Sequence, residues 1–393
     1  MSKSRNDGPL HVLWTPSWFP SRRQPLNGSF FLEQVTMLEE AGLSVGVINL
    51  DPRSFWQLRS FQLEVDSNTR TIRGEIPTIP HGIVRGDGAI IAACVKRAGA
   101  QYAHHFGIPD VIHAHSVFPG ILVAQTLADM WNIPYGITEH RPSSLTRNPL
   151  SFRYRDISRA ITQANFRLAV SHDFADKLTR YYGSAPFKVM SLPVPQRFFD
   201  HPLKLRRDTF CFVHVSHLDR NKRVEEVIRA FAFVHGRYPH TQLRIIGGDT
   251  ERVAELTRLA HSCGVRDNVV LTGAIPRDRI AHEMGEGDCL ILVSQWEAGG
   301  TVYAEAQSLG LSCIASATPG GRFMVTPDVG YVVPIDDVSA LVEAMKRIVV
   351  SDQSGTGFDP QAIRAKAWRR FSPQVFSAAH QDIYERVIAG ECI

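Results

Sequence analysis

Two glutamates beside a pair of glycines are the residues of this chain best suited to bind a phosphorylated sugar. Glu297 precedes Gly299 and Gly300, and Glu305 follows in the stretch SQWEAGGTVYAEAQSLG. A carboxylate accepts hydrogen bonds from neighbouring hydroxyls, as the acidic residue of dinucleotide folds does for ribose. Glycines let a diphosphate approach the backbone. The pattern predicts such a ligand site, although acidic residues and glycines are also ordinary features of a helix start.

The flanking sequence predicts that these residues lie at the carboxyl end of a buried strand. The apolar run CLILVS predicts a strand over 289–294, and a helix then begins with Thr301 as its cap and stops at Gly310. The unpaired N–H groups and the dipole of such a helix favour an anion at its start. The helix start is therefore predicted to face the phosphate part of the ligand.

The spacing of the two glutamates resembles the signature of the family-four retaining glycosyltransferases, which have the GT-B fold. That signature is E-G-F-G-L-x-x-x-E-A-x-x-x-G-x-P-V-I, and this chain has EAGGTVYAEAQSLGLSCI, with Gly299 in place of the aromatic residue and Ser312 in place of proline. The resemblance implies that Glu297 is catalytic and binds hydroxyls of the donor sugar, while Glu305 binds ribose. It also assigns four neighbouring residues to the donor site: Gly299, Gly300, Thr301 and Val302.

A second loop, SHLDRNKR, follows the predicted strand FCFVHV and resembles the family pattern G-R-L-x-x-x-K-G. Lys222 keeps the lysine position, and His217 stands where the family has arginine. The resemblance implies that both residues bind the donor diphosphate, with Lys222 also stabilising charge in the reaction without a metal ion. Histidine is only partly charged near neutral pH, so this replacement weakens the positive charge. An ordinary surface lysine is the alternative interpretation of Lys222.

The first half of the chain supplies candidates for the acceptor side. The stretch WFPSRRQPLNGSFFLEQV resembles the family pattern W-Y-P-x…P-x-x-G-x-F-x-x-E-Q, which implies that Gly28 and Ser29 lie beside donor phosphate or acceptor. A solvated turn is the alternative. His140 ends the predicted strand PYGITEH and matches the histidine of V-x-T-x-H, which contacts the donor sugar across the cleft between domains in that family. Arg141 is assigned to the acceptor side with Gly28 and Ser29.

Two further features of the first half have a structural and a functional interpretation. His113 and His115 lie on one face of a predicted strand, where we expect a core role. Six arginines follow His140 within residues 141–167 against the single acid Asp156. Arginine clusters bind phosphates and carboxylates, so an anionic acceptor or peripheral contact with an anionic membrane is possible for this domain. A solvated helix face is an equal alternative.

Strands and helices alternate along most of the chain, which predicts an α/β fold. We expect two doubly wound Rossmann-like domains facing across a cleft, as in the GT-B fold that the motifs resemble. The predicted domains are residues 1–195 for the acceptor side and 209–371 for the nucleotide sugar. A linker spans 196–208, and 372–393 form a terminal helix that crosses back to the first domain.

Composition excludes several classes of protein. The 393 residues are 44% hydrophobic and 21% charged, with a net charge of +4, which is too small to indicate nucleic-acid binding. Six scattered cysteines without a C-x-x-C pair predict reduced thiols, and no D-x-D triplet indicates a divalent ion. No apolar run approaches the ~20 residues that span a membrane. The segment MSKSRNDGPL lacks the apolar core of a signal peptide, so we expect a cytoplasmic protein, with possible peripheral contact at the inner membrane face.

Taken together, the motifs predict a metal-independent retaining glycosyltransferase of the hexosyltransferase type. It would move a sugar from a nucleoside diphosphate sugar to a saccharide or lipid-linked saccharide, in surface polysaccharide or glycolipid synthesis, without a cofactor. A sugar-nucleotide epimerase of the same fold and a nucleotide-sugar-binding scaffold without activity are the alternatives. A nicotinamide oxidoreductase is disfavoured because neither domain begins with G-x-G-x-x-G.

Overall fold

The computed structural model describes residues 8–20, 27–54, 61–79, 87–146, 148–205 and 208–393. The chain divides into two compact units. The first consists of Met1–Met190 and Phe376–Ile393, and the second of Ser191–Val375. Each unit has its own sheet and its own buried core.

The first unit is built on a mostly parallel sheet flanked by helices. Its strands are β1 (His11–Pro16), β2 (Ser44–Ser54), β3 (Leu63–Asp66), β4 (Thr71–Thr78), β5 (Val111–His115), β6 (Tyr135–Glu139), β7 (Phe166–Ala169) and β8 (Lys188–Val189). Its first five helices are α1 (Ser29–Glu40), α2 (Asp87–Phe106), α3 (Leu122–Trp131), α4 (Phe152–Gln163) and α5 (His172–Tyr182). Among the described residues the strand order is β3-β4-β2-β1-β5-β6-β7-β8, and only β3 pairs antiparallel.

The second unit repeats this design with a fully parallel sheet. Its strands are β9 (Phe210–Val215), β10 (Thr241–Ile246), β11 (Val269–Leu271), β12 (Cys289–Leu292), β13 (Ser312–Ser316) and β14 (Gly330–Val333). Its helices are α6 (Gln196–Asp200), α7 (Val224–Arg237), α8 (Thr250–Ser262), α9 (Ile280–Gly285), α10 (Thr301–Ser308), α11 (Pro319–Met324), α12 (Val338–Gln353) and α13 (Pro360–Phe371). The order β11-β10-β9-β12-β13-β14 changes direction between β9 and β12, where ligands of such sheets bind. Two doubly wound sheets confirm the predicted fold class.

The last helix, α14 (Pro373–Ile388), contributes to the core of the first unit. Tyr384 is fully buried, and its hydroxyl accepts a hydrogen bond of 3.3 Å from the indole N–H of Trp14. Ser377 donates to the main-chain carbonyl of Met37 at 3.1 Å. The carboxyl-terminal segment thereby completes a core whose other residues lie hundreds of positions earlier in the chain.

The segment 196–208, which we expected to be a linker, begins with α6. Phe198 and Phe199 on this helix are buried in the core of the second unit. Prolines and mixed charges made the segment resemble a linker, while the burial of two aromatic side chains favours packing because each removes a large apolar area from water. The start of this segment, helix α6, therefore packs into the core of the second unit.

Candidate functional site

The loops that carry the predicted donor residues leave one edge of the second sheet. Strands β9 and β12 are parallel neighbours, so the segments that follow them, 216–223 and 293–300, start side by side. A buried histidine fixes the first of these loops. His214 Nδ1 donates to the carbonyl of Ile291 at 2.9 Å, and its Nε2 accepts from the hydroxyl of Ser216 at 2.8 Å. Burial lowers the pKa of His214 to about 4, so the ring is neutral at pH 7.

Lys222 and Glu297 meet at this edge. The ammonium nitrogen lies 2.8 Å from Glu297 Oε2, and the two side chains are only 18% and 17% exposed. Lys222 ends a short 3₁₀ turn, Arg220–Lys222, in which Asp219 accepts the N–H of Asn221 at 2.9 Å. An ammonium has three N–H bonds and a carboxylate has several acceptor positions. The pair can therefore bind phosphate and hydroxyl groups while its members remain in contact.

Asn221 joins the two loops and was not singled out from the sequence. Its side-chain amide donates to the carbonyl of Trp296 at 3.0 Å and accepts the N–H of Trp296 at 2.9 Å. Its own carbonyl accepts the N–H of Gln295 at 2.8 Å. An asparagine in a polar loop is an ordinary turn residue, so no sequence signal indicated this double contact.

The glycines before α10 have a packing role that the sequence analysis did not assign. Gly300 has a φ of +68°, and a Cβ on it would lie 2.6 Å from the ring of Tyr303. Gly299 is buried and Gly300 is half-buried. The helix cap is Gly300, and Thr301 is the first helical residue, so the prediction that Thr301 caps α10 was wrong by one position. Val302, half-buried, packs against the core of the second unit.

Glu305 is the most buried of the predicted ligand-binding residues, at 1% exposure. Its Oε1 forms an ion pair with Arg277, which lies in the turn before α9 and was not predicted. Its Oε2 is buried and has no hydrogen-bond partner within the described residues. A buried carboxylate oxygen without a donor is costly, so this atom is suited to accept a ligand hydroxyl.

His217, in contrast, is exposed on the same loop. Its neighbour Leu218 is buried with a φ of +58°, and the N–H of Leu218 donates to Ser216 Oγ at 3.0 Å. The backbone of this loop is held by buried groups, whereas the side chain at position 217 extends into solvent. The structure brings Lys222, Glu297 and the start of α10 to one edge, and it leaves His217 outside the ion pair.

His140 follows β6 in the first unit. Its Nε2 lies 3.1 Å from His115 Nδ1, and its ring packs at 5.3 Å from that of Phe31. Burial, with a smaller contribution from the Arg141 charge, lowers the pKa of His140 to about 3. Nδ1 of His140 is buried without a hydrogen-bond partner among the described residues. His140 is therefore a neutral hydrogen-bonding group with one unused nitrogen.

Glu139 sets the backbone on which His140 and Arg141 lie, and the sequence analysis missed it. This fully buried carboxylate accepts the N–H groups of Val117, His140 and Arg141 at 2.8, 2.8 and 2.7 Å, and the hydroxyl of Ser116 at 3.0 Å. Burial raises the pKa of Glu139, and these donors oppose that rise. A charged residue at the end of an apolar strand was the available signal.

Trp18 brings together the predicted acceptor-side residues. Gly28 has a φ of +79°, and a Cβ on it would lie 2.9 Å from Trp18 Cδ1. The guanidinium of Arg141 lies 3.4 Å from the centre of the Trp18 ring, and the ring of His140 lies 6.5 Å from it. Ser29, the first residue of α1, is half-buried beside Gly28.

His113 and His115 are buried, which agrees with the core role expected for them. His113 Nδ1 lies 2.7 Å from the hydroxyl of Tyr384, and its Nε2 lies 2.7 Å from Thr138 Oγ1. The ring of His380 packs 5.6 Å from that of His113. Burial lowers the pKa of all three histidines. His115 also contacts His140, so it supports the candidate site as well as the core.

Two family models match consecutive parts of this chain. Residues 29–195 match the family described as Glycosyltransferase Family 4. Residues 196–364 match the family described as Glycosyl transferases group 1. The two matches adjoin at the division between the candidate acceptor-side and donor-side residues. The chain belongs to the group 1 glycosyltransferases.

Two relatives of this glycosyltransferase are named as glycosyltransferases. The D-inositol 3-phosphate glycosyltransferase of Xylanimonas cellulosilytica is 26% identical over 76% of each chain. The putative teichuronic acid biosynthesis glycosyltransferase TuaC of Bacillus subtilis is 25% identical over 86% of this chain and 89% of its own length. Among solved structures, HepE of Anabaena in complex with UDP superposes with a TM-score of 0.71 at 17% identity, covering 96% of this chain and all of HepE. These findings confirm the predicted GT-B fold and transferase class.

The arginine-rich stretch of this glycosyltransferase divides into buried and exposed members. Arg167 is buried and donates to the carbonyl of Ile161 at 3.2 Å, so it has a structural role. Arg155 and Arg159 are exposed on α4, while Arg147 lies outside the described residues. The stretch SFWQLRSFQ at 54–62, whose aromatic residues predict a further membrane-facing surface, falls mainly in 55–60, which is also outside them.

In the parts of the chain that the structure describes, no three His, Cys, Asp or Glu side chains group closely enough to hold a metal ion. No helix within those same parts has the length and apolar character needed to cross a membrane.

Proposed function

We propose that this glycosyltransferase transfers a sugar from a nucleoside diphosphate sugar to an acceptor hydroxyl with retention of anomeric configuration. The observation that carries the proposal is the contact of Lys222 with Glu297 at the carboxyl edge of β9 and β12. An ammonium group suits a diphosphate, and a neighbouring carboxylate suits the hydroxyls of the attached sugar. One edge of the sheet therefore offers both kinds of contact that a nucleotide sugar requires.

Each part of the donor has a partner in the proposed site. The ammonium of Lys222 and the N–H groups at the start of α10, beginning at Thr301, would bind the diphosphate. Glu297 would bind sugar hydroxyls, and Glu305 Oε2, which has no partner among the described residues, would accept a ribose hydroxyl. The structural neighbour HepE was solved with UDP, which supports a nucleoside diphosphate as the class of ligand.

The reaction would rely on stabilising charge. When the bond between the anomeric carbon and the phosphate oxygen breaks, that carbon becomes cationic and the diphosphate gains negative charge. Lys222 and the dipole of α10 would stabilise the leaving diphosphate, and for this reason we propose that no metal ion is required. The acceptor oxygen would bond to the anomeric carbon on the face that the phosphate leaves, and the departing phosphate oxygen would take the acceptor's proton.

His140 would act in the transfer step as a neutral hydrogen-bonding group. Its low pKa keeps the imidazole uncharged at pH 7, and its Nδ1 has no partner in the described structure. Arg141, stacked on Trp18 and adjacent to His140, would attract an anionic acceptor. Gly28 and Ser29 lie next to this group and would form part of the acceptor surface.

The acceptor would be a saccharide or lipid-linked saccharide of a surface polysaccharide or glycolipid. The name of one relative supports this class, because it refers to teichuronic acid biosynthesis, while the name of another, which refers to D-inositol 3-phosphate, supports an anionic acceptor. Exposed Arg155 and Arg159, together with Leu150 at 79% exposure, would allow peripheral contact with an anionic membrane. Sedimentation with vesicles containing anionic lipid, compared with neutral vesicles, tests that contact.

Thermal stabilisation by UDP, GDP, ADP and TDP, in buffer with EDTA, tests the donor site first. A ligand at a hundred times its dissociation constant stabilises by about 2.7 kcal/mol. We expect one diphosphate to do so, and we expect Lys222→Ala and Glu305→Ala to abolish the effect. No stabilisation by any of the four would overturn the donor assignment. Binding of a nucleotide sugar without transfer would favour a scaffold, and conversion of it without an acceptor would favour an epimerase.

A further inference from the structure

The proposed donor-binding pair, Lys222 and Glu297, is formed by two loops that follow different strands. Lys222 lies on the segment after β9, and Glu297 lies on the segment after β12. Their charged atoms are 2.8 Å apart, so a shift of either loop would change the separation between the phosphate-binding and sugar-binding groups. Transfer requires both parts of the donor to be bound in one geometry, and a displacement of about 1 Å can reduce a rate by 10²-fold. A residue that fixes one loop against the other therefore affects the reaction.

Asn221 makes this connection directly beside the pair. It immediately precedes Lys222, and its partner Trp296 immediately precedes Glu297. The side-chain amide donates to the carbonyl of Trp296 at 3.0 Å and accepts the N–H of the same residue at 2.9 Å. The Asn221 carbonyl accepts the N–H of Gln295 at 2.8 Å. Two adjacent residues of one loop are thus joined to one residue of the other by three hydrogen bonds.

Glu297 is also held from its other side. Its carbonyl accepts the N–H of Gly320 at 2.8 Å, at the start of α11. A Cβ at position 320 would lie 3.1 Å from the same carbonyl oxygen, so the contact requires a close approach of the backbone. The backbone of Glu297 therefore lies between Gly320 and the contact with Asn221. Loss of one support would leave the loop held on one side only.

We infer that Asn221 is a positioning residue that sets the distance between Lys222 and Glu297 for the bound donor. This inference rests on the proposed function of the same site. Asparagine is suited to the task because its amide supplies one donor and one acceptor in a plane. Aspartate keeps the acceptor for the Trp296 N–H and places a second carboxylate oxygen against the Trp296 carbonyl, where an N–H is needed. Alanine loses both side-chain contacts and keeps the bond from the main-chain carbonyl to Gln295.

The predicted defect appears only when a sugar is attached to the nucleotide. Lys222 keeps its place because Asp219 holds the 3₁₀ turn without help from Trp296. Affinity for a nucleoside diphosphate should therefore change little, whereas contacts of Glu297 with the sugar should weaken. A residue needed only for folding would reduce both affinities together with thermal stability.

The experiment compares the unaltered protein with Asn221→Ala, Asn221→Asp and the control Asn268→Ala. Asn268 precedes β11, so it lies at the opposite edge of the same parallel sheet. UDP, GDP, ADP and TDP are titrated first. The glucose and mannose esters of the diphosphate that binds are then tested for affinity and for release of that diphosphate by hydrolysis, in which water accepts the glycosyl group and the free sugar forms. Hydrogen exchange at the Trp296 amide reports whether the contact itself is lost.

We expect both Asn221 variants to bind the diphosphate within about threefold of the unaltered protein and to release it from the nucleotide sugar about 10- to 100-fold more slowly. The Trp296 amide should exchange faster in Asn221→Ala, and Asn268→Ala should match the unaltered protein. Adding Asn221→Ala to Glu297→Ala should cause little further loss, because Asn221 acts by positioning the Glu297 carboxylate, which Glu297→Ala has already removed.

Three outcomes would overturn the inference. Unchanged sugar affinity and turnover in Asn221→Ala would refute it while leaving the proposed function intact. Equal loss of diphosphate affinity, sugar affinity and thermal stability would show a structural role only. Independent losses in the double variant would show that Asn221 acts on something other than Glu297. If the unaltered protein bound no diphosphate, the proposed function would fail first, and this inference would fail with it.

Discussion

The two units share one architecture and treat polar groups in opposite ways. In the second unit, charged side chains pair between loops, as Lys222 does with Glu297, and remain partly exposed. In the first unit, the corresponding sheet edge holds buried groups. His140 is neutral and packed among aromatic rings, and Glu139 is surrounded by backbone N–H groups. The same edge of a doubly wound sheet therefore supports a charged site in one case and a mostly uncharged site in the other.

The difference shows that the shared fold determines where a site can form, at the carboxyl edge of the sheet, and that the loops determine which chemical groups line it. In each unit, the buried polar atoms without a hydrogen-bond partner among the described residues include one on a candidate site residue, Glu305 Oε2 in the second unit and His140 Nδ1 in the first. Both atoms belong to residues that the sequence motifs had indicated. The buried neutral histidines of the first unit make its folding sensitive to acid.

The largest effect that we predict is selective acid destabilisation of the first unit. Four of its histidines, His113, His115, His140 and His380, are buried with lowered pKa values, with His140 at about 3 and His380 at about 4. The unfolded chain binds their protons near pH 6.5 and the folded chain does not. Stability is therefore present above pH 6.5 and is lost as the pH falls toward 4. At pH 5, His140 and His380 alone should reduce the free energy of unfolding by about 4 kcal/mol.

Hydrogen exchange of each unit at pH 7 and pH 5, corrected for intrinsic rates, measures this loss. In the second unit, burial lowers the pKa of His214 to about 4. This histidine should reduce the free energy of unfolding by roughly 2 kcal/mol at pH 5. The first unit should therefore lose protection at a higher pH than the second. Equal loss in both units would show that burial does not keep these rings neutral.

The parts of the site that sequence analysis found are those whose residues are close in the chain. Glu297 and Glu305 lie on one loop and the helix that follows it, so their spacing carried the motif. Lys222 was found because its loop has a recognisable pattern after a strand. The alternation of apolar runs with amphipathic segments was sufficient for the two α/β units. Residues 51–80 have weak periodicity and predict no regular elements, whereas the structure has β3, a largely half-buried edge strand, and β4 in this region.

The second prediction concerns the charge of Glu297. Glu297→Gln keeps the shape of the side chain and removes the charge opposite Lys222. We expect turnover of the nucleotide sugar to fall about 100-fold or more, with diphosphate affinity nearly unchanged, because the carboxylate acts on the sugar. Steady-state release of the diphosphate and a separate binding titration measure the two quantities.

The matched control for this change is Glu283→Gln. Glu283 forms an ion pair with Arg244 at 2.7 Å in the same unit, with a similarly shielded carboxylate at 17% exposure. It should leave turnover unchanged if the effect depends on the site. A loss of diphosphate affinity in Glu297→Gln as large as its loss of turnover would contradict the assignment of this carboxylate to the sugar.

The residues that sequence analysis missed act through distant partners. Arg277 contacts Glu305, and Asn221 contacts Trp296, in each case from another loop of the second unit. Glu139 accepts hydrogen bonds from N–H groups of two loops in the first unit. Asn221 and Arg277 have types and spacings that are ordinary in turns, and only Glu139 had a local signal, as a charged residue at the end of an apolar strand. Their roles arise only when the parallel strands bring separate loops to one edge, and local patterns contain no information about that pairing.

The third prediction tests the cation beside Glu305. Arg277→Ala leaves a carboxylate that is 1% exposed without its ion-pair partner. Removing one partner of a buried pair is strongly destabilising, and the 27% exposure of Arg277 reduces the effect to roughly 2 kcal/mol. The unfolding transition of the second unit in urea measures this loss of stability. The double variant Arg277→Ala with Glu305→Gln should regain part of the stability, because a neutral amide needs no counter-charge. If the double variant were the less stable of the two, the carboxylate would not be the source of the defect.

The smallest effect that we predict is that of Arg141→Ala in the first unit. The variant loses the stacking of a guanidinium on Trp18, which contributes about 0.5–1 kcal/mol at an exposed position. The pKa of His140 should rise only slightly, because burial is the larger cause of its lowering and the Arg141 charge the smaller one. The ring resonances of His140, followed by NMR from pH 7 to pH 4, should therefore remain those of a neutral imidazole. A titration near pH 6 in this variant would mean that the neighbouring charge, and not the packing against Phe31 and His115, keeps the first unit's site neutral.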